Sequence, residues 1–166
     1  MSRTLLLDGQ QIRQRIDRLA WQLYEDNPDK TEIVLVGILT SGNLVAEMLA
    51  ASLRAISPLK ITSATIRIDK HSQVAGTAEL SIVPAELEGK VVVLVDDVLN
   101  SGKTLLYALR PFLSIDIEKI RIVVLVDRNH RRYPISADYA GLTLATTLKE
   151  HITVEGEKGN LRAYLD

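Results

Sequence analysis

The sequence predicts an α/β domain of three layers, with a mainly parallel central sheet flanked by helices and a small C-terminal hood. Three observations carry this. "EIVLVGIL" (32–39), "KVVVLV" (90–95) and "IRIVVLV" (120–126) are short β-branched runs without polar alternation, as expected of strands buried on both faces. The segments between the runs include stretches with the spacing of helices. Strand, helix, strand in succession implies right-handed crossovers and a parallel sheet.

The elements follow in order. From Asp8 to Asp26, Ile12, Ile16, Leu19, Ala20 and Leu23 recur at three- and four-residue spacing, which predicts a helix with Asp8 as its N-cap. Asn27-Pro28-Asp29 ends it. The first buried strand is 32–39, and "NLVAEMLAASL" (43–53) is the helix behind it. "ITSATIRI" (61–68) alternates and reads as a less buried strand, and residues 69–80 have no periodicity and read as a mobile loop. The second buried strand is 90–95. "KTLLYALRPFL" (103–113) follows as a helix that Pro111 kinks or ends, with Leu105, Leu106, Leu109 and Phe112 as its core stripe. After the third strand, 120–126, the tail holds one or two short strands such as "HITVEG".

Composition bounds the function. With 166 residues, no repeats and no linker, residues 1–166 form a single domain. A formal net charge of -1 does not mark nucleic acid as an obligatory partner, and the absence of cysteine excludes disulfides and thiolate metal sites. No secretory signal and no bilayer-length apolar run is visible, so a cytoplasmic protein without a membrane partner is expected.

The chemistry lies in two strand-to-helix turns, 39–43 and 96–103, at the carboxyl ends of strands, where open α/β sheets bind ligands. The second turn lies in "VVVLVDDVLNSGKTL" (91–105), which ends like an ATP-binding P-loop. Such a loop requires a first glycine five residues before Gly102, and that position is Asp97. A carboxylate there repels the phosphates the loop must wrap. A phosphoreceiver domain is excluded too, because its acidic pair lies near the domain start and too little chain follows Asp97. What remains is physical. Asn100-Ser101-Gly102-Lys103-Thr104 opens a helix with free N–H groups, two hydroxyls and a permissive glycine, a cradle for a phosphate monoester. Asp96 and Asp97 are acceptors suited to vicinal sugar hydroxyls. Phosphate at one end and diol at the other describe a ribose 5-phosphate.

On these residues the chain resembles the type I phosphoribosyltransferases, whose phosphoribosyl-pyrophosphate signature is apolar strand, two acids, two apolar residues and a Ser-Gly-Lys-Thr loop. The resemblance implies that Asp96 and Asp97 hold the ribose diol and act in catalysis. It makes Asn100 to Thr104 the 5-phosphate loop, Thr40-Ser41-Gly42 the pyrophosphate loop, and residues 69–80 the catalytic flap. Mg²⁺ is the implied cofactor, held through the substrate. Within the family the chain is similar, nearly end to end, to the bacterial pyrimidine-operon attenuation proteins that are also uracil phosphoribosyltransferases. "LLLDGQQIRQRIDRLA", "VLVGILTSG" and "VLVDRNHRRYPISADYAG" carry that likeness. The last stretch is implied to lie over the base-binding region, with Asp127, Arg128 and His130 near the site and Arg128 directed at pyrophosphate or base.

The chain also departs from these relatives. Ser41 replaces an arginine in their pyrophosphate loop, which removes a charge-assisted contact. Arg67-Ile68-Asp69-Lys70 replaces their Tyr-Arg-Asp-Asp flap. Asn100 stands where many purine enzymes place an aspartate base, and it cannot accept a proton at neutral pH. Asp17 and Trp21 replace a threonine and a histidine associated with RNA binding, and an acidic residue there repels a phosphate backbone. Lys103 reads equally as a phosphate ligand or a surface residue, His71 and His151 as surface residues, and Trp21 as buried core or a contact in a homo-oligomer. Three functions follow: uracil phosphoribosyltransferase, a nucleotide-sensing RNA-binding regulator of pyrimidine genes with weak or no catalysis, or a phosphoribosyltransferase for another base.

Overall fold

The computed structural model of the protein describes residues 2–69 and 77–166. Its strands are β1 (Thr4–Leu7), β2 (Glu32–Ile38), β3 (Lys60–Ile68), β4 (Ala78–Leu80), β5 (Val91–Leu99), β6 (Lys119–Asp127), β7 (Tyr139–Thr143), β8 (Ile152–Glu157) and β9 (Asn160–Leu165). Its α-helices are α1 (Gly9–Asp26), α2 (Ser41–Ile56) and α3 (Lys103–Leu109). The main sheet has the order β4-β3-β2-β5-β6-β7, parallel throughout except for the antiparallel edge pair β3–β4. A second, antiparallel sheet, β1-β9-β8, forms the hood, so the hood takes a strand from the N-terminus as well as two from the C-terminus.

Alternate residues of the central strands feed two cores. Leu35, Val93, Val95, Val123 and Leu125 pack with Ile16, Leu19, Leu49 and Leu53 of α1 and α2, and the hood residues Val154 and Leu161 close that layer. Val34, Val36, Val92, Leu94 and Val124 face the other way, onto Leu105, Ala108 and Phe112. Each fully buried Val, Leu or Ile side chain among these contributes about 1.5–3 kcal/mol relative to exposure. A strand packed on both sides has no use for polar alternation, which is why the three apolar runs are strands.

Several boundaries differ from the sequence expectation, each for a physical reason. Asp8 does cap α1: its side chain accepts from Gln11 N–H at 2.8 Å, and Gln11 Oε1 accepts from Asp8 N–H at 2.9 Å. The second buried strand, however, runs on through Asp96 and Asp97 to Leu99, because the carboxylates satisfy neighbouring backbone groups without ending the ladder. The helix expected over 103–113 stops at Leu109, and Pro111 sits in a tight 3₁₀ turn over Arg110–Ser114. Leu106 is exposed rather than part of the core stripe. Trp21 is half exposed and packs at a tilt against Tyr24, so it is not a core residue. Within the expected loop 69–80, the three residues of β4 pair with β3 (Ile66 with Leu80, Ile68 with Ala78), too short a match to read from periodicity. Residues 70–76 of that loop, His71 among them, lie outside the described residues. No described helix is long and apolar enough to cross a membrane.

The amino ends of the strands are held by ion pairs. Glu32 accepts from Lys90 and, at 3.2 Å, from Thr62, with Lys60 Nζ 3.9 Å away. The Lys90 ammonium, with help from Thr62, holds the Glu32 carboxyl below the ordinary glutamate range, against a smaller opposing effect of burial. A depressed folded pKa stabilises the fold above the unfolded value of about 4.3, and that stabilisation disappears as pH falls through the folded value. Glu32→Gln is therefore expected to melt below the wild type at pH 7, with the gap closing once the pH drops below about 4. Calorimetric melting across that range checks this; a gap independent of pH would contradict it.

Candidate functional site

The two strand-to-helix turns meet in one cavity of about 260 Å³ at the carboxyl edge of the main sheet. Thr40, Ser41 and Gly42 form one wall, and Asp96, Asp97, Asn100 and Thr104 form another. The third wall is Ile152, Thr153 and Val154 of β8. A smaller recess of about 30 Å³ adjoins it, lined by Asn100, Ser101, Gly102 and Thr104 with Asp96 at its edge.

β2 delivers the first wall. After Ile38 the Leu39–Thr40 peptide is cis, Thr40 leaves no side-chain cap on α2, and Ser41 begins that helix. The uncapped first turn of α2 thus offers backbone N–H groups at its positive end. Gly42 allows this turn to lie directly on β5: a Cβ there would stand 2.8 Å from Asp96 Oδ1 and 2.9 Å from the Val95 carbonyl. The turn and the acidic pair are therefore in contact because residue 42 has no side chain.

β5 delivers the second wall. Asp96 Oδ1 accepts from Asp97 N–H at 2.9 Å, and Asp97 Oδ1 accepts from Val98 N–H at 2.8 Å. Asp96 is buried and Asp97 half buried, and both line the cavity. The loop that follows is pinned from outside: the Ser101 carbonyl accepts from Arg132 N–H at 2.9 Å and Tyr133 N–H at 3.1 Å. Gly102 sits at φ +91°, where a Cβ would come within 2.4 Å of Ile135 Cγ2, so glycine is required on two counts. Ser101 Oγ accepts from Lys103 N–H at 3.3 Å, which fixes the hydroxyl over the turn. Loop residues Asn100 to Gly102 and Thr104 at the start of α3 line the recess, with the Asp96 carboxylate beside them.

The other residues singled out from sequence sit elsewhere. Lys103 is exposed, with its ammonium 5.7 Å from the centre of the Tyr107 ring. Asp127 ends β6, next to β5, and Arg128 and His130 follow it, but none is on the wall of this cavity. Asp127 Oδ1 accepts from Asn129 N–H at 2.8 Å, and Asn129 adopts a positive φ of 53°. His130 is half buried and His151 exposed. Arg128 is buried, and its guanidinium donates to Asn100, Thr146, Thr147 and Glu150 rather than pointing into the cavity. The β8 wall had no signal in the sequence beyond a short alternation at "HITVEG", and nothing local told which part of the sheet it would cover.

Among the described residues no group of three or more His, Cys, Asp or Glu side chains converges to hold a metal. The donor set fits a divalent cation bound mainly through ligand oxygens, with the Asp96 and Asp97 carboxylates beside it. Mg²⁺ is commonly held in this way, by one or two carboxylates, water and substrate phosphates.

Comparison with known proteins agrees with this architecture. Residues 2–156 match the Phosphoribosyl transferase domain family. The chain is 34% identical over 164 residues to the bifunctional protein pyrR of Enterococcus faecalis (strain OG1RF), covering 95% of this chain and 92% of that one. It is 37% identical over 155 residues to the bifunctional protein PyrR of Nostoc punctiforme, covering 90% and 87%. In fold it is similar to a hypoxanthine phosphoribosyltransferase of Trypanosoma cruzi, with a TM-score of 0.80 at 21% identity over 95% of this chain and 92% of that one. A hypoxanthine phosphoribosyltransferase of Staphylococcus aureus superposes with a TM-score of 0.75 at 23% identity over 94% and 82%. A parallel sheet with an acidic pair and a strand-to-helix loop at its carboxyl edge, and a family match over nearly the whole length, lead to one conclusion: the chain belongs to the phosphoribosyltransferase family.

Proposed function

We propose that this phosphoribosyltransferase transfers the 5-phosphoribosyl group from phosphoribosyl pyrophosphate to uracil, giving UMP and pyrophosphate. The observation that carries the reading is the cavity in which the Thr40–Gly42 turn, the Asp96–Asp97 pair, Asn100 and Thr104 meet, with Ser101 and Gly102 in the recess that adjoins it. In this reading the loop N–H groups and the Thr104 hydroxyl anchor the 5-phosphate, far from the reacting carbon. That anchoring supplies remote binding energy for the reaction. Asp96 and Asp97 accept from the ribose hydroxyls and stabilise the positive charge that develops on the ring as the bond from C1 to pyrophosphate breaks. The first turn of α2 receives the leaving pyrophosphate on backbone N–H groups. Asp96 and Asp97 would lie beside a Mg²⁺ ion bound with the substrate, which would supply charge neutralisation to the leaving group. A ring nitrogen of uracil forms the new bond to C1 as the bond to pyrophosphate breaks, and its proton passes to water or to the departing pyrophosphate; that N–H is acidic enough to need no strong protein base. Uracil is favoured over a purine because Asn100 cannot take up a proton.

Pyrophosphate release from phosphoribosyl pyrophosphate and Mg²⁺, measured in turn with uracil, hypoxanthine, guanine and adenine, tests the base assignment. Release with uracil alone is the expected result. Release with a purine and not with uracil would move the chain to another base, and release with none would leave a regulatory role as the reading. A second expectation concerns Ser41. Ser41→Arg restores a guanidinium beside the leaving group, and its KM for phosphoribosyl pyrophosphate should fall roughly 3- to 10-fold, the scale of one charge-assisted hydrogen bond after side-chain ordering. Steady-state kinetics check this; an unchanged or raised KM would remove the pyrophosphate from this turn.

A further inference from the structure

Asn100 and Arg128 hold a feature that the transfer reaction does not by itself require. The two residues follow the paired strand ends Leu99 and Asp127, and Arg128 N–H donates to the Leu99 carbonyl at 3.1 Å. Arg128 is 6% exposed, and its guanidinium spends four donors on fixed acceptors. Nε donates to Thr146 Oγ1 at 2.9 Å, Nη1 to Asn100 Oδ1 at 2.9 Å, and Nη2 to the carbonyls of Thr147 at 3.3 Å and Glu150 at 2.6 Å. An arginine only donates, so the Asn100 atom facing it must be the carbonyl oxygen. The amide cannot flip without setting N–H against N–H. Its Nδ2 therefore points away from Arg128, on an exposed residue that lines the cavity, and donates to none of the described residues. At this point the cavity presents a hydrogen-bond donor whose direction is fixed from below.

Strand order says which part of the ligand that donor meets. β5 lies between β2 and β6. With pyrophosphate over the end of β2 and ribose 5-phosphate over the end of β5, in-line displacement at C1 brings the base from the β6 side. Asn100 is tied to that side through Arg128. We infer that Asn100 is a base-specificity residue, donating from Nδ2 to an acceptor on the nucleobase, and that Arg128 is the positioning residue that fixes its orientation. A pyrimidine attacking through N1 carries the 2-carbonyl oxygen next to the reacting nitrogen and satisfies the donor. A purine that must give up a proton from its imidazole ring needs an acceptor at that place, and Asn100 turns its only acceptor toward Arg128. The inference rests on the ribose 5-phosphate reading of the two turns and adds what selects the base.

Titration calorimetry on the full chain with two probes, UMP and ribose 5-phosphate, tests it without turnover. The ratio of the two affinities isolates what the base contributes. Asn100→Ala is expected to weaken UMP about 5- to 10-fold, the scale of one hydrogen bond, while ribose 5-phosphate changes less than about two-fold. Arg128→Lys keeps the charge but not the fork, and should lower the same ratio although it touches no ligand. The double variant should be no worse than either single one, since both act through one hydrogen bond. If Arg128→Lys fails to fold, Asn100→Ala alone decides. Parallel weakening of both probes would assign Asn100 to the phosphate, and an unchanged ratio, or a wild type that binds UMP no tighter than ribose 5-phosphate, would equally overturn the proposal. A wild type that shows the base contribution yet forms no UMP from uracil would sink the catalytic reading and leave this assignment standing.

Discussion

Asp97→Asn is expected to lower kcat/KM by at least about 100-fold while the protein stays folded. The carboxylate lines the cavity beside Asp96, and within the fold it accepts from the Val98 N–H. An amide oxygen keeps that hydrogen bond, so melting should shift by no more than about 2 °C, as for a substitution that changes no packing. What the amide loses is the negative charge that the proposed mechanism sets against the ribose as the bond to pyrophosphate breaks. Preorganised charge aimed at a transition state is typically worth about 10²–10³ in rate. The loss should fall mainly on kcat, because the 5-phosphate loop still holds the substrate. Steady-state kinetics with a melting curve on the same sample decide it. Activity within ten-fold of wild type would refute the ribose role of the acidic pair.

Gly42→Ala is expected to be the most damaging single-methyl change at the site. The added Cβ would meet Asp96 Oδ1 at 2.8 Å, the Val95 carbonyl at 2.9 Å and Asp96 Cα at 3.0 Å. Two of these atoms are strand backbone that cannot rotate aside, so α2 must lift off β5. Overpacking of this kind costs about 1–3 kcal/mol. For a chain of this size that lowers Tm by roughly 2–12 °C. Lifting α2 also separates the Thr40–Gly42 turn from Asp96, so KM for phosphoribosyl pyrophosphate should rise about ten-fold or more, as small misplacements in a site commonly do. Calorimetry and initial rates on the same variant check both parts. An unchanged Tm together with a KM within two-fold would mean that the two turns do not act as one site.

How far the sequence carried depended on whether the information was local. The three apolar runs are strands because each is packed on both faces, and that demand is written in their own residues. Asp8 and Gln11 spell a capping box within one turn of helix. That the Asp96–Asp97 pair and the Asn100–Thr104 loop would lie together at a strand end was legible for the same reason, since the two carboxylates and the loop sit side by side in the chain. Contacts made across long separations were not. The β8 wall, the closure of the hood by β1 and the seating of Gly42 on Asp96 all join residues more than forty positions apart. Arg128 shows the limit most clearly. Its place after a strand suggested a ligand contact, but its buried guanidinium is used by Asn100 and the 146–150 segment. No pattern in "VLVDRNH" distinguishes an arginine that faces a ligand from one that braces the residue that does.

The central claim is that one ribose 5-phosphate bound across the two turns is handed to uracil. Incubation of the protein with labelled uracil, phosphoribosyl pyrophosphate and Mg²⁺, followed by separation of base from nucleotide, tests it most directly. Labelled UMP formed in step with pyrophosphate, and lost in Asp97→Asn, is the predicted result. No labelled nucleotide from a folded wild-type protein that binds phosphoribosyl pyrophosphate would contradict it.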